Sequence, residues 1–136
     1  MRVVAVNGSP NRTGNTAVLV REAVRGARDA GAEVEEIFLA DYRIGFCRGC
    51  LSNGARSFCL SSGRCIQGDD LETLKAKLYQ ADAVILASPS YGVEPTARMK
   101  NFLTDRFGLF TVYTSGMRGK YFVGLSTAGA VGAPQV

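Results

Sequence analysis

Residues 2–7, Arg-Val-Val-Ala-Val-Asn, form a short apolar run that ends at Gly8. Its branched residues and lack of alternation predict a strand covered on both faces, as in a parallel sheet. A polar loop follows, and a helix is predicted over 16–30, with Val18, Leu19, Ala23, Ala27 and Ala30 as its apolar face and Gly31 as its stop. Val34, Ile37, Phe38 and Leu39 predict a second strand over 33–39, which completes a right-handed βαβ unit. Residues 41–68 show no period and are rich in Gly, Ser, Arg and Cys, a long loop of the kind that carries function. Asp69, with Glu72 as its capping-box partner, predicts a helix start, and Leu71, Leu74 and Leu78 continue it to about Gln80. Ala-Val-Ile-Leu-Ala at 83–87 predicts a third strand, ending in the turn formers Ser88-Pro89-Ser90-Tyr91-Gly92. Pro95 is placed to open a helix carrying Met99, Phe102 and Leu103, and 121–125 predicts a fourth strand. There is no internal repeat.

The pattern is that of a single α/β domain over 1–136, with four parallel strands separated by helices. In such open sheets, ligands lie beyond the C-terminal strand ends. The loops after the first, third and fourth strands are therefore the candidates. The ending in Gly, Ala, Pro and Val leaves the fourth strand as an apolar edge. A C-terminally truncated chain, or an edge covered by a partner subunit, is the expectation.

Length and composition fit this picture. A chain of 136 residues with 46% hydrophobic residues and 4 Pro can build one core. The net charge of +4 is modest and dispersed, which suits small anionic ligands and argues against nucleic acid. There is no His, which excludes Ser-His-Asp and Cys-His catalysis and imidazole-dependent metal sites. No apolar run approaches a membrane span. Met1 runs directly into a strand, without a secretory leader, and the 4 Cys cluster between 47 and 65, so a reduced cytoplasmic location is expected.

The loop Gly8-Ser9-Pro10-Asn11-Arg12-Thr13-Gly14-Asn15-Thr16 matches neither GxGxxG nor the Walker A pattern. Ser9, Thr13, Asn15 and Thr16 offer donors, the following helix aims free N–H groups at the same point, and Arg12 adds charge at the rim. Such a loop suits a phosphate monoester; the plainer reading is a turn that caps the helix. In the second loop, Pro and Gly shape a strand-to-helix turn that a flat ligand can approach, with Tyr91 offering an edge or a face, or else packing over the next helix. Lys100 and Arg106 could support anion binding but read rather as solvent-facing, with Asp105 as ordinary surface charge.

Residues 8–16, together with Ser88-Pro89-Ser90-Tyr91-Gly92, Met99-Lys100-Asn101-Phe102 and Asp105-Arg106, resemble the motifs of the NADPH-dependent FMN reductase family. Cys47-Arg48-Gly49-Cys50 and Cys65-Ile66-Gln67-Gly68-Asp69-Asp70 resemble the linking segment of its members related to iron–sulfur flavoproteins. The resemblance implies a flavodoxin-like three-layer sandwich with sheet order 2-1-3-4, extended to 2-1-3-4-5 in a complete chain. It implies that Ser9, Asn11, Thr13, Asn15 and Thr16 hold the FMN phosphate. Pro89, Ser90, Tyr91 and Gly92 would run along the ring, and the loop Thr127-Ala128-Gly129 would complete the pocket. NAD(P)H is the implied co-substrate, a quinone, a flavin or another small molecule the acceptor, and a homodimer or homotetramer the assembly. No side chain stands out as a catalytic proton donor; Tyr91 is the nearest, in a positioning role.

The cysteines Cys47, Cys50, Cys59 and Cys65 are spaced C-x2-C-x8-C-x5-C. They are candidates for a [4Fe–4S] cluster or zinc, or are metal-free thiols near the flavin or at a subunit contact. An iron–sulfur flavoprotein resembles C-x2-C-x2-C followed by a last Cys; here Asn53 holds the third position, with Cys59 as its replacement after an insertion of 54–58. Arg48, Arg56 and Arg64 would favour thiolates. A thioredoxin-like dithiol at Cys47 and Cys50 fits less well, because the pair does not open a helix after a strand. Phe102 and Phe107 read as core, and Phe110 to Tyr113 as an arm at an oligomer interface. Two further readings remain beside the reductase: an iron–sulfur flavoprotein for electron transfer, and a non-catalytic FMN-binding module.

Overall fold

A computed structural model describes residues 1–50 and 58–129. Asn53 and Arg56, and the chain after Gly129, lie outside them. Strand β1 (Arg2–Asn7) is flanked by β2 (Glu33–Phe38) and β3 (Ala83–Tyr91), and β3 pairs on its other side with β5 (Tyr121–Thr127). All these pairings are parallel, giving the order β2-β1-β3-β5. The expected fourth strand is β5, and the expected order holds. A two-residue strand, β4 (Glu94–Pro95), pairs antiparallel with the end of β3 through Ser90↔Pro95 and Tyr91↔Glu94.

Helix α1 (Asn15–Asp29) covers one face of the sheet. Its buried side chains are Thr16, Ala17, Val20 and Val24, whereas Val18 and Leu19 are exposed. The apolar face is therefore rotated from the expected one, because Val20 and Val24, not Val18 and Leu19, cluster with Val3, Ala5 and Ile85, and of the expected residues Ala23 packs against them. The other face is covered by α3 (Leu71–Gln80) and a long composite helix: α4 (Ala97–Lys100), a π-helical turn at Asn101–Phe107, and α5 (Gly108–Tyr113). Val4, Val6, Ile37, Leu71, Leu74, Leu78, Val84, Met99 and Phe102 form the main core there. Full burial of each such side chain contributes roughly 1.5–3 kcal/mol. No helix among the described residues is long and apolar enough to cross a membrane.

Several expectations are corrected. The third strand runs four residues further than expected, so Ser88–Tyr91 belong to β3. Pro95 closes the β3–β4 hairpin, and the helix starts instead behind Thr96, whose Oγ1 accepts from Met99 N at 3.2 Å. Asp69 and Glu72 form no capping box. Asp70 occupies the N-cap position, while Glu72 accepts from Cys65 N at 2.8 Å and pairs with the buried Lys75 at 2.7 Å. The long loop contains a short helix, α2 (Phe58–Ser62). Phe110 is buried, with the Lys75 ammonium 4.1 Å from its ring centroid, so it belongs to the core and not to an exposed arm.

The π-turn explains the aromatic spacing. Phe102 and Phe107 stack at 5.4 Å although they stand five residues apart, a spacing that an α-helix would splay. Gly108 belongs to the same feature, because a Cβ there would lie 2.6 Å from the Leu103 carbonyl oxygen.

Candidate functional site

The loop after β1 is organised by its own asparagines. Asn7 Oδ1 accepts from Ser9 N at 2.9 Å, and Asn11 Oδ1 accepts from Thr13 N at 2.9 Å and from Thr13 Oγ1 at 3.0 Å. These side-chain turns consume the loop's inner donors and fix its curl. Gly8 is pressed between strand and helix: it donates to Ala87 O at 2.8 Å, its carbonyl accepts from Thr96 Oγ1 at 2.8 Å, and an added Cβ would meet Met99 at 2.9 Å. Gly14 is the N-cap of α1 and has no side chain to satisfy the first-turn N–H groups, and no acidic residue stands in that turn. The end of α1 therefore keeps its partial positive charge and its donors.

These features border a cleft of about 250 Å³ at the C-terminal ends of β1, β3 and β5. Of the residues singled out in the sequence, Ser9, Asn11, Asn15, Thr16, Pro89, Ser90, Tyr91, Thr127 and Gly129 line it, and Gly14 and Ala128 join them. Thr13 and Gly92 do not. Thr13 is turned onto Asn11, and Gly92 forms the hairpin tip with Val93, both at positive φ (60° and 66°). Two positive φ values are what a two-residue hairpin requires, and for a β-branched Val the geometry is strained. Thr16 Oγ1 lies 2.6 Å from Thr127 Oγ1, tying the phosphate-type loop to the end of β5. The Ser90 hydroxyl is buried and lacks a protein partner. Tyr91 is exposed and does not pack over the next helix.

Arg12 does not serve the cleft rim as expected. It pairs with Asp41, and its guanidinium lies 4.4 Å from the Phe38 ring centroid, in a separate pocket that Arg12 lines with Phe38 and Asp41. Lys100 pairs with Glu94 at 3.2 Å.

A second site gathers the cysteines. Cys47, Cys50, Cys59 and Cys65 line one pocket of about 50 Å³, with Arg106, Phe110 and Leu109 among its walls. Cys47, Cys50 and Cys65 carry free thiols. Among the described residues no three Cys, Asp or Glu side chains converge closely enough to ligate one ion. The four sulfurs share one largely apolar pocket, a donor set whose chemistry is that of thiolate ligands for soft metals.

Arg106 is not solvent-facing as expected but buried. It is 3% exposed and grips Asp69 in bidentate fashion (Nη1–Oδ2 2.7 Å, Nη2–Oδ1 3.1 Å). It also donates to Gly45 O, and through Nη2 to Cys65 Sγ at 3.2 Å. Burial works against both charges. The Arg106 hydrogen bonds and the Gly45 and Leu71 amides nevertheless hold Asp69 below the usual carboxylate range, and Asp69 and Cys65 raise Arg106 above the usual guanidinium value. Three carboxylates pin the approach to the pocket at alternate amides: Asp70 takes Arg43 N (2.6 Å), Asp69 takes Gly45 N (3.0 Å) and Asp105 takes Cys47 N (3.0 Å). Asp105 is therefore no mere surface charge. Asp69 with Arg106 in one chain was the signal for this network, but nothing local tells which of several acids an arginine will meet.

Comparison with solved structures supports the fold. The chain superposes on RosB, solved with a riboflavin-phosphate intermediate, with a TM-score of 0.77 at 18% identity, covering 100% of this chain and 55% of that one. It also superposes on the NAD(P)H:quinone oxidoreductase of Methanothermobacter marburgensis with a TM-score of 0.72 at 18% identity, covering 96% and 66% of the two chains. Among curated proteins, an iron–sulfur flavoprotein of Archaeoglobus fulgidus is 36% identical over 135 residues, which are 99% of this chain and 58% of the relative. One from Methanocaldococcus jannaschii is 39% identical over 106 residues, 78% of this chain and 51% of the relative. The chain thus spans little more than half the length of these relatives. The flavodoxin-like sheet and the loop motifs agree with a family-level match that runs over residues 1–135, and on these grounds the chain belongs to the NADPH-dependent FMN reductase family.

Proposed function

We propose that the chain is the FMN-binding part of an NAD(P)H-dependent oxidoreductase that serves a quinone, a flavin or another small acceptor. The observation that carries this reading is the cleft where the uncapped end of α1, the end of β3 and the Thr127–Gly129 loop meet. Ser9, Asn11, Asn15 and Thr16, with the first-turn amides of α1, would bind the FMN phosphate. No cation lines the cleft among the described residues, so the helix end and neutral donors would carry that task. Pro89, Ser90 and Tyr91 would lie along the ring, and the unpartnered Ser90 hydroxyl fits a polar ring edge. Thr127 would fix the opposite wall through Thr16. Bound FMN supplies the hydride chemistry; the protein orients it and leaves one face accessible.

The cysteine pocket favours a second reading, an iron–sulfur flavoprotein. Cys47, Cys50, Cys59 and Cys65 would hold a [4Fe–4S] cluster, which supplies one-electron transfer, and the names of the curated relatives support this assignment. We place the protein in the cytoplasm as a homodimer or homotetramer.

Anaerobic purification followed by an absorption spectrum and assays of flavin, iron, sulfide and zinc separates the readings. FMN with NAD(P)H oxidation supports the reductase. Iron and sulfide in addition support the second reading, and flavin without NAD(P)H oxidation points to a binding module. Absence of bound flavin, with no FMN uptake on titration, refutes the proposal.

A further inference from the structure

Arg106 is buried, and the four hydrogens of its two terminal nitrogens are all assigned. Two go to Asp69, one to Gly45 O and one to Cys65 Sγ. At 3% exposure no water competes for them, so the contact to sulfur is fixed by the surrounding bonds. A charge-assisted bond in such a setting is stronger than one at the surface.

The π-turn is what delivers this side chain. In a regular α-helix the fifth residue after Asn101 would point about 140° away around the axis. The wider turn at Asn101–Phe107 instead sets Asn101 and Arg106 on one face, where both reach the Gly45 carbonyl. Asp105, from the same turn, accepts from Cys47 N. One turn of helix thus holds a cysteine from each end of the C-x2-C-x8-C-x5-C set. Stapling the fold needs only the Asp69 pair; the fourth hydrogen aimed at Cys65 is left over from that task.

We propose that Arg106 is a positioning residue for the redox centre of the cysteine pocket, holding Cys65 Sγ and raising the reduction potential of the centre. The inference rests on the iron–sulfur reading above. A hydrogen bond to a ligating sulfur, together with a nearby fixed positive charge, favours the more electron-rich reduced state, so the potential moves upward. Asp69 offsets part of that charge, and its Oδ1 shares Nη2 with the sulfur, so the hydrogen bond to Cys65 Sγ carries most of the effect.

The test uses the anaerobically purified full chain, produced with ¹⁵N-arginine, with iron, sulfide and FMN content measured first. Pulsed electron paramagnetic resonance of the reduced centre is expected to show a ¹⁵N coupling that disappears in Arg106→Lys. A lysine retains a charge for Asp69 but cannot span both Asp69 and Cys65. The variant is expected to keep its FMN, because the cleft lies elsewhere, and to show a more negative midpoint potential. Should Arg106→Lys fail to fold, a coupling that survives in both Arg48→Lys and Arg64→Lys supports the inference, and one that is lost in either overturns it. Iron present without ¹⁵N coupling, or an unchanged potential in a folded variant, overturns the inference and leaves the iron–sulfur reading standing. A protein without iron and sulfide overturns both.

Discussion

Replacing Thr96 with valine keeps the shape of the side chain and removes one hydroxyl. That hydroxyl accepts from Met99 N at 3.2 Å and donates to Gly8 O at 2.8 Å, and Thr96 is 6% exposed. Losing the helix cap costs about 1 kcal/mol. Leaving the Gly8 carbonyl buried without its donor costs roughly 1–3 kcal/mol more. The sum, about 2–4 kcal/mol, is a large share of the ~5–15 kcal/mol typical of a domain. With a urea slope of about 2 kcal/mol/M, the unfolding midpoint should fall by roughly 1–2 M. Thr96→Ser, which keeps the oxygen, should restore most of the loss. The assay is urea unfolding followed by circular dichroism on the flavin-free protein. A Thr96→Val midpoint within about 0.25 M of the parent, at unchanged slope, would refute the view that this hydroxyl joins the β1 loop to α4.

Gly108→Ala inverts the usual helix rule. At an ordinary helical position it would stabilise by about 1 kcal/mol, but here the methyl would meet the Leu103 carbonyl at 2.6 Å. A loss of about 1–3 kcal/mol in thermal or urea unfolding is expected, and a gain would deny that the π-turn needs this glycine. Thr16→Val breaks the 2.6 Å contact with Thr127 and should weaken FMN about fivefold, for ~1 kcal/mol, and riboflavin less. Fluorescence titrations giving equal losses for the two flavins would contradict a phosphate cradle at this loop. Asp69 has its folded pKa depressed, so its stabilisation is present above the unfolded value near 3.9 and is lost as pH falls towards the folded one. Acid titration of Asp69→Asn should therefore give a flatter stability profile below about pH 4 than the parent; parallel profiles would contradict the pairing.

The layers are legible in the sequence because β1, β3 and β5 are apolar runs and the helices between carry leucine or alanine spacing, whereas the sheet order came from the family resemblance. The cleft loops are legible for a related reason. Gly, Ser, Asn and Thr gather just after β1 and at the end of β3, where such sheets bind ligands. The rotated face of α1 was missed because Val18 and Leu19 outweigh Ala17 on any hydrophobic scale, yet a small alanine allows closer packing on the sheet. The π-turn hid for a geometric reason: one extra residue per turn erases the 3.6 period, although Phe102 and Phe107 five apart carried its trace. Arg106 and Asp69 lie 37 positions apart, and only the folded chain brings them together.

The alternate pinning of residues 43, 45 and 47 by Asp70, Asp69 and Asp105 gives a stretch outside helix and sheet the tether spacing of a strand edge. In deuterated solvent its amides should trade hydrogens with a period of two, with slow sites at 43, 45 and 47 and fast ones between. Side-chain carboxylates would thus have done for this segment what a neighbouring backbone does elsewhere.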